Sequence, residues 1–323
     1  LQAETKRPLF LLTYSELRAK EILEDLTFFT KDCAYYPAKD ILFYSADVHS
    51  MEMNRQRFLV VEKLLEGKCP LIVASVEALL DRYPKKDVFA SFLLTLHVGE
   101  VRELTDLTKQ LVFMGYERAE LVESPGQFAV RGGILDVYPL TSDDAVRIEF
   151  WDDEIDSIRT MDAQSQRSVD KLNSVTIFPM RELVYDEETA KTAADKMEAD
   201  YKKALKKMEK STVEDGVERM KEHIGENIDL LRSELSFASV GSFINYFYDD
   251  TVSLLSYLPE DTILCFDEPQ RLAEHMDTLR QEYEESMKGR IAQGFLLPAQ
   301  SKLLFDYLDI LRQAEDFDRI LLA

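Results

Sequence analysis

The most regular stretch of hydrophobic and polar alternation runs from Gly126 to Asp162. Within Val146-Arg147-Ile148-Glu149-Phe150-Trp151, the period of two places Val146, Ile148 and Phe150 on one face of a strand and Arg147, Glu149 and Trp151 on the other. The apolar face demands a core, so the other face meets solvent or a partner. Arginine and tryptophan are the residue types that most often anchor protein interfaces. Just before it, Ile134-Leu135-Asp136-Val137-Tyr138 reads as a second strand, entered through Arg131-Gly132-Gly133. A glycine pair in a strand pattern predicts a bulge, a bend or the close approach of another backbone. An ordinary antiparallel sheet with a half-buried tryptophan is the plainer reading of the same pattern.

Upstream, Leu9 to Leu12 has the look of a buried parallel strand. Thr13-Tyr14-Ser15-Glu16 then reads as a capping box, followed by Ala19, Ile22, Leu23 and Leu26 at helical spacing. Met51 to Glu66 predicts a helix stopped at Gly67, Leu71 to Ala74 a buried strand, and Val76 to Asp81 a helix capped by Ser75. Alternating strands and helices indicate an α/β layer. After Pro84 the pattern predicts a strand over Phe89 to Val98. A helix over Val101 to Met114 follows, with Leu104, Leu107, Leu111 and Val112 inward and Gly115 as its stop. Strands then follow in quick succession through Phe178, as in a small α+β domain inserted into the α/β layer. Asp186 to Ser236 is helical and densely charged. Thr262 to Phe266 returns to a buried strand, and Pro269 fits the first position of a helix reaching Met287, with Glu268 as a possible cap. A helix over Ser301 to Gln313 and a strand-like end at Ile320 to Leu322 complete the pattern. The expected division is 1–88, 89–180 and 181–323, the outer two forming one α/β domain.

Composition narrows the function classes. Of 323 residues, 46% are hydrophobic and 31% charged, as in a soluble globular protein of two or three domains. No apolar run approaches a membrane span and no signal peptide precedes the first strand. The lack of an initiator methionine suggests a fragment. Cys33, Cys69 and Cys265 have no metal-ligand spacing and fit a reduced cytoplasmic setting. A net charge of −22 disfavours non-specific nucleic-acid binding and suits partners with basic patches. Lys202, Lys203, Lys206 and Lys207 read as a solvated helix face with ion pairs one turn apart, in preference to a DNA patch. His49, His97, His223 and His275 are scattered, so no metal site or catalytic triad is indicated. The acidic run Asp152-Asp153-Glu154 with Asp156 lacks the glycine and spacing of a calcium loop and reads as a strand connection.

GQFAVRGGILDVYP (126–139), VRIEFWDDEIDSIR (146–159), Gln166-Arg167-Ser168 and Thr176-Ile177-Phe178-Pro179 together closely resemble a module of bacterial nucleotide excision repair. That module is shared by UvrB and the transcription-repair coupling factors, and the likeness extends more weakly from Leu9 to the end. Two departures favour the coupling factors. No GxxxxGK[ST] phosphate loop occurs: Gly67-Lys68 is followed by Cys69, and the family's loop would precede Leu9. Nor is there room for UvrB's tyrosine-rich DNA hairpin, since only Tyr35, Tyr36 and Tyr44 occur, in a short connection.

The resemblance implies a degenerate helicase-like (RecA-type) parallel-sheet α/β domain interrupted by a small α+β domain that binds UvrA. The family's UvrA-contacting positions fall on Arg131, Arg147 and Trp151, the last often Phe in the family. Asp267-Glu268 falls where a helicase-type ATPase holds magnesium, here as a relic. No catalytic residue, cofactor or metal is implied for the chain. The full-length protein is expected to be an ATP-dependent translocase that meets RNA polymerase and double-stranded DNA through other domains. There a C-terminal domain is expected to cover the UvrA surface. An ATP-binding helicase or translocase domain acting directly on DNA is the alternative. It requires an upstream phosphate loop and a working Asp267-Glu268, whereas a UvrB-like DNA-binding module would show a salt-dependent gel shift.

Overall fold

In a computed structural model that describes residues 2–39, 51–68, 71–211, 213–237 and 239–322, the chain opens on three parallel strands. These are β1 (Leu9–Thr13), β2 (Cys33–Tyr36) and β3 (Leu71–Ser75). Every residue of β3 is buried, as expected of a central parallel strand covered on both faces. The sequence pattern did not separate β2, because four residues carry too little alternation; Tyr35 and Tyr36 lie in this strand, not in a connection, and Tyr44 lies outside the described residues.

The helix Glu16–Thr27 packs Ala19 wholly out of solvent, with Ile22, Leu23 and Leu26 against the same core. Its cap is Ser15, whose hydroxyl accepts from the Arg18 amide, and not a Thr13–Glu16 box. Thr13 is still in the strand, and Glu16 instead accepts from the Ala38 amide at 2.9 Å. The helix Met51–Leu65 ends before Gly67, whose φ of +74° is open to glycine at no steric cost. After β3 the chain makes only a 3₁₀ turn, Val76–Leu79, and the Ser75 hydroxyl caps nothing. Asp81 and Tyr83 are drawn elsewhere, bonding the guanidinium of the fully buried Arg57.

The chain then enters a second unit, 87–186. The apolar run expected as one strand divides into a helix, Lys86–Ser91, and β4 (Leu94–His97). Apolar runs of this length suit a buried helix turn as well as a strand, so periodicity alone does not separate them. The helix Leu104–Phe113 buries Leu107 and Leu111, while Val112 is turned outward and is exposed. Six strands follow: β5 (Glu117–Arg118), β6 (Gln127–Arg131), β7 (Ile134–Val137), β8 (Ala145–Trp151), β9 (Glu154–Asp162) and β10 (Arg167–Leu172). They form one sheet in the order β10-β9-β8-β7-β6-β5, and β11 (Ser174–Ile177) pairs with β4. Phe128, Leu135, Val137, Val146, Ile148, Ile155 and Ile158 share a core with Leu107 and Leu111.

The remaining chain, 187–323, belongs with 1–86. The helix Glu187–Met208 carries the lysines expected to be solvated, with Lys202–Glu198 at 2.9 Å and Lys203–Asp200 at 3.2 Å. Strand β12 (Ile263–Asp267) and edge strand β13 (Asp318–Leu322) complete a parallel sheet ordered β13-β12-β1-β3-β2. The parallel-sheet α/β class expected from the pattern is therefore the class of this chain. The helix after β12 runs Pro269–Gln293, past the expected end at Met287. The helix expected over Ser301 to Gln313 divides into a 3₁₀ turn, Pro298–Lys302, and Tyr307–Gln313, because Asp306 caps the latter through the Leu308 amide. Among the described residues no helix is long and apolar enough to cross a membrane.

Candidate protein-interaction site

The two glycines after Arg131 form a two-residue hairpin turn, with Arg131 paired to Ile134. Gly132 has φ +61°, a value hairpin turns need and glycine supplies, and a Cβ on Gly133 would stand 3.0 Å from the Phe150 carbonyl oxygen. This turn sets the register of β7 against β6 and so places Asp136 opposite Ala129, while the pairing of β7 with β8 places it opposite Arg147 on the other side.

Asp136 is fully buried on the face away from the main core. Arg147 grips it bidentately, Nε donating to Oδ1 at 2.7 Å and Nη2 to Oδ2 at 2.8 Å. Arg131 donates from Nη2 to the same Oδ2 at 2.6 Å. The carboxylate holds the Arg147 guanidinium above its ordinary pKa. Arg147 also donates to the Gln166 carbonyl at 3.3 Å, and its side chain is only 14% exposed, against 42% for Arg131. The expected solvent-facing arginine is thus largely buried and locked. Asp136 was the residue sequence reasoning passed over; its signal was a lone carboxylate inside an otherwise apolar strand.

Trp151 ends the same strand face and is 80% exposed. It lies four residue steps along the strand from Arg147, roughly 13 Å. The strand turns back directly after it through Asp152 and Asp153, with φ +59° at Asp152, so the acidic run is a hairpin connection. The structure therefore joins Arg131 and Arg147 on one carboxylate and sets Trp151 apart at the strand's end.

Asp267 and Glu268 lie in the other unit, at the end of β12. The Asp267 carboxylate accepts from the Thr13 hydroxyl at 3.0 Å and from Arg18 Nε at 3.2 Å, and this contact raises the Arg18 pKa. Glu268 occupies the cap position with φ +50°, but its side chain makes no cap bond and pairs with Arg271 at 2.9 Å. Among the described residues no group of three or more His, Cys, Asp or Glu could hold a metal ion. His275 pairs with Glu77, while His49 and Cys69 lie outside the described residues.

Residues 94–183, within the second unit, match the family described as the UvrB interaction domain. The chain is 34% identical over 303 residues to the transcription-repair-coupling factor of Bacillus subtilis (strain 168), covering 92% of this chain and 25% of that protein. It is 27% identical over 312 residues to the transcription-repair-coupling factor of Staphylococcus aureus (strain bovine RF122 / ET3-1), covering 96% of this chain and 26% of the relative. The chain thus spans about a quarter of the length of these curated relatives, and its likeness to the coupling factors covers nearly all of its own.

Proposed function

We propose that this chain is a non-catalytic adaptor that binds UvrA through its antiparallel unit and so directs nucleotide excision repair to stalled RNA polymerase. The observation that carries this reading is an exposed tryptophan on the same strand face as a clamped arginine pair, inside a UvrB interaction domain. A rigid aromatic beside preorganised guanidinium groups is the composition of an interface anchor. Residues 87–186 would be the UvrA-binding insertion, and 1–86 with 187–323 a helicase-like base that has lost ATPase function. The engagement of Asp267 by Arg18 and Thr13 supports the non-catalytic role. Contacts with RNA polymerase and double-stranded DNA would come from other parts of a longer cytoplasmic protein.

Titration of the chain against purified UvrA tests this. Wild type should bind, and Trp151→Ala should weaken binding by roughly 2 kcal/mol, about thirtyfold. Failure of the folded wild type to bind UvrA overturns the reading. Undiminished affinity in Trp151→Ala removes that residue from the site.

A further inference from the structure

The Asp136 cluster is one end of a longer cationic row. Strand register sets Lys171 of β10 opposite Arg159 of β9, Arg159 opposite Arg147 of β8, and Arg147 opposite Asp136 of β7. Directly paired residues share a sheet face, so Lys171, Arg159 and Arg147 stand side by side across three strands, spanning roughly 10 Å. Like charges opposed in this way destabilise a sheet. The acidic groups bonded to these cations are Asp136, shared by Arg131 and Arg147, and Glu149, which lies 3.6 Å from Arg159 and accepts from Ser157 at 2.7 Å. Four cations against two carboxylates leave a local charge of +2 on a chain of −22. Among the described residues Lys171 is exposed and has no ion pair, and the buried Nε of Arg159 has no hydrogen-bond partner.

Resting on the UvrA reading above, we infer that Arg159 and Lys171 form a second contact strip, running across the strands from Arg147 and receiving a carboxylate-bearing segment of the same protein partner. An acidic protein segment fits better than nucleic acid. A duplex carries its charge along its whole length and meets the repulsion of a strongly acidic chain beyond this narrow row, whereas a short carboxylate cluster meets only the row itself. The strip would set orientation and association rate, while Trp151 contributes buried area.

The test is titration of the full chain against UvrA at low and physiological salt, with folding of each variant checked by circular dichroism. Lys171→Glu alters an exposed side chain and should weaken binding about fivefold at low salt and flatten its salt dependence. Glu149→Gln removes a competing carboxylate from Arg159 and should tighten binding, a gain that a purely structural role for Arg159 does not produce. If wild type binds, Trp151→Ala weakens it, and both charge variants match wild type, the strip is wrong and the UvrA reading stands. If wild type fails to bind UvrA, that reading fails and takes the strip with it. Salt-dependent duplex binding lost in Lys171→Glu, without UvrA binding, would assign the row to nucleic acid and overturn the inference.

Discussion

Each unit holds an aspartate removed from solvent and met by arginine, yet the charge balance is opposite. At the end of the parallel sheet, Arg18 serves both Asp267 and Glu21, one cation for two carboxylates. On the antiparallel sheet, Arg131 and Arg147 serve Asp136 alone, two cations for one carboxylate. The first arrangement leaves net negative charge at the end of β12, where Asp267 Oδ2 accepts from both Thr13 and Arg18. The second leaves net positive charge on a rigid face. Similar pairs thus leave one region locally negative and the other locally positive.

The largest expected effect tests whether the two aspartates also differ in what they hold. Asp136→Ala strands the largely buried Arg147, and loss of one member of a buried pair costs about 3–5 kcal/mol. Asp267→Ala frees Arg18, which is 36% exposed and keeps Glu21, so its cost should be roughly 1 kcal/mol. Urea denaturation followed by hydrogen exchange, which reports the two units separately, measures both. Equal losses would mean that the two clusters are equivalent and that exposure of the arginine does not matter.

That contrast shows where the sequence was legible. The alternation over Val146 to Trp151 correctly separates the core residues Val146 and Ile148 from Arg147 and Trp151, because one strand's period needs no neighbour. It says nothing of depth: Arg147 and Trp151 share a face, but one sits over Asp136 and the other over solvent. The Asp136–Arg147 partnership depends on the register of β7 against β8, which a slip of one residue would reverse. Arg18 and Asp267 are 249 positions apart, and only the parallel pairing of β1 with β12 brings their ends together. Likewise, Phe89 could not be assigned to a helix from an apolar run that suited either element.

The next effect in size separates binding from stability along β8. Trp151→Ala should lose roughly 2 kcal/mol of UvrA affinity but change stability by less than about 0.5 kcal/mol, since the ring is largely solvated. Arg147→Ala should lose both, because it leaves Asp136 buried with only the Arg131 contact. Arg147→Lys keeps the charge without the planar fork and should fall between them. Comparing UvrA titration with urea denaturation for the three variants checks this. A Trp151→Ala variant that unfolds as readily as Arg147→Ala would sink the division into an anchoring end and a structural end.

The smallest effect is confined to the parallel-sheet unit. His275 on the Pro269–Gln293 helix pairs with Glu77 in the turn after β3, and this bond, with a lesser contribution from Glu282, raises its pKa above the ordinary 6.5. A raised folded-state value means the charged pair stabilises fully below pH 6.5 and is lost as pH climbs through the raised value. Both side chains are partly exposed, so the loss should stay below about 1 kcal/mol. Denaturation of wild type and His275→Gln at about pH 6 and about pH 8, read separately for each unit, brackets the histidine range. A slope in the parallel-sheet unit that vanishes in His275→Gln assigns the effect to this pair. A slope that survives the substitution, or that occurs equally in the antiparallel unit, places the titrating group elsewhere and removes pH response from the differences between the two regions.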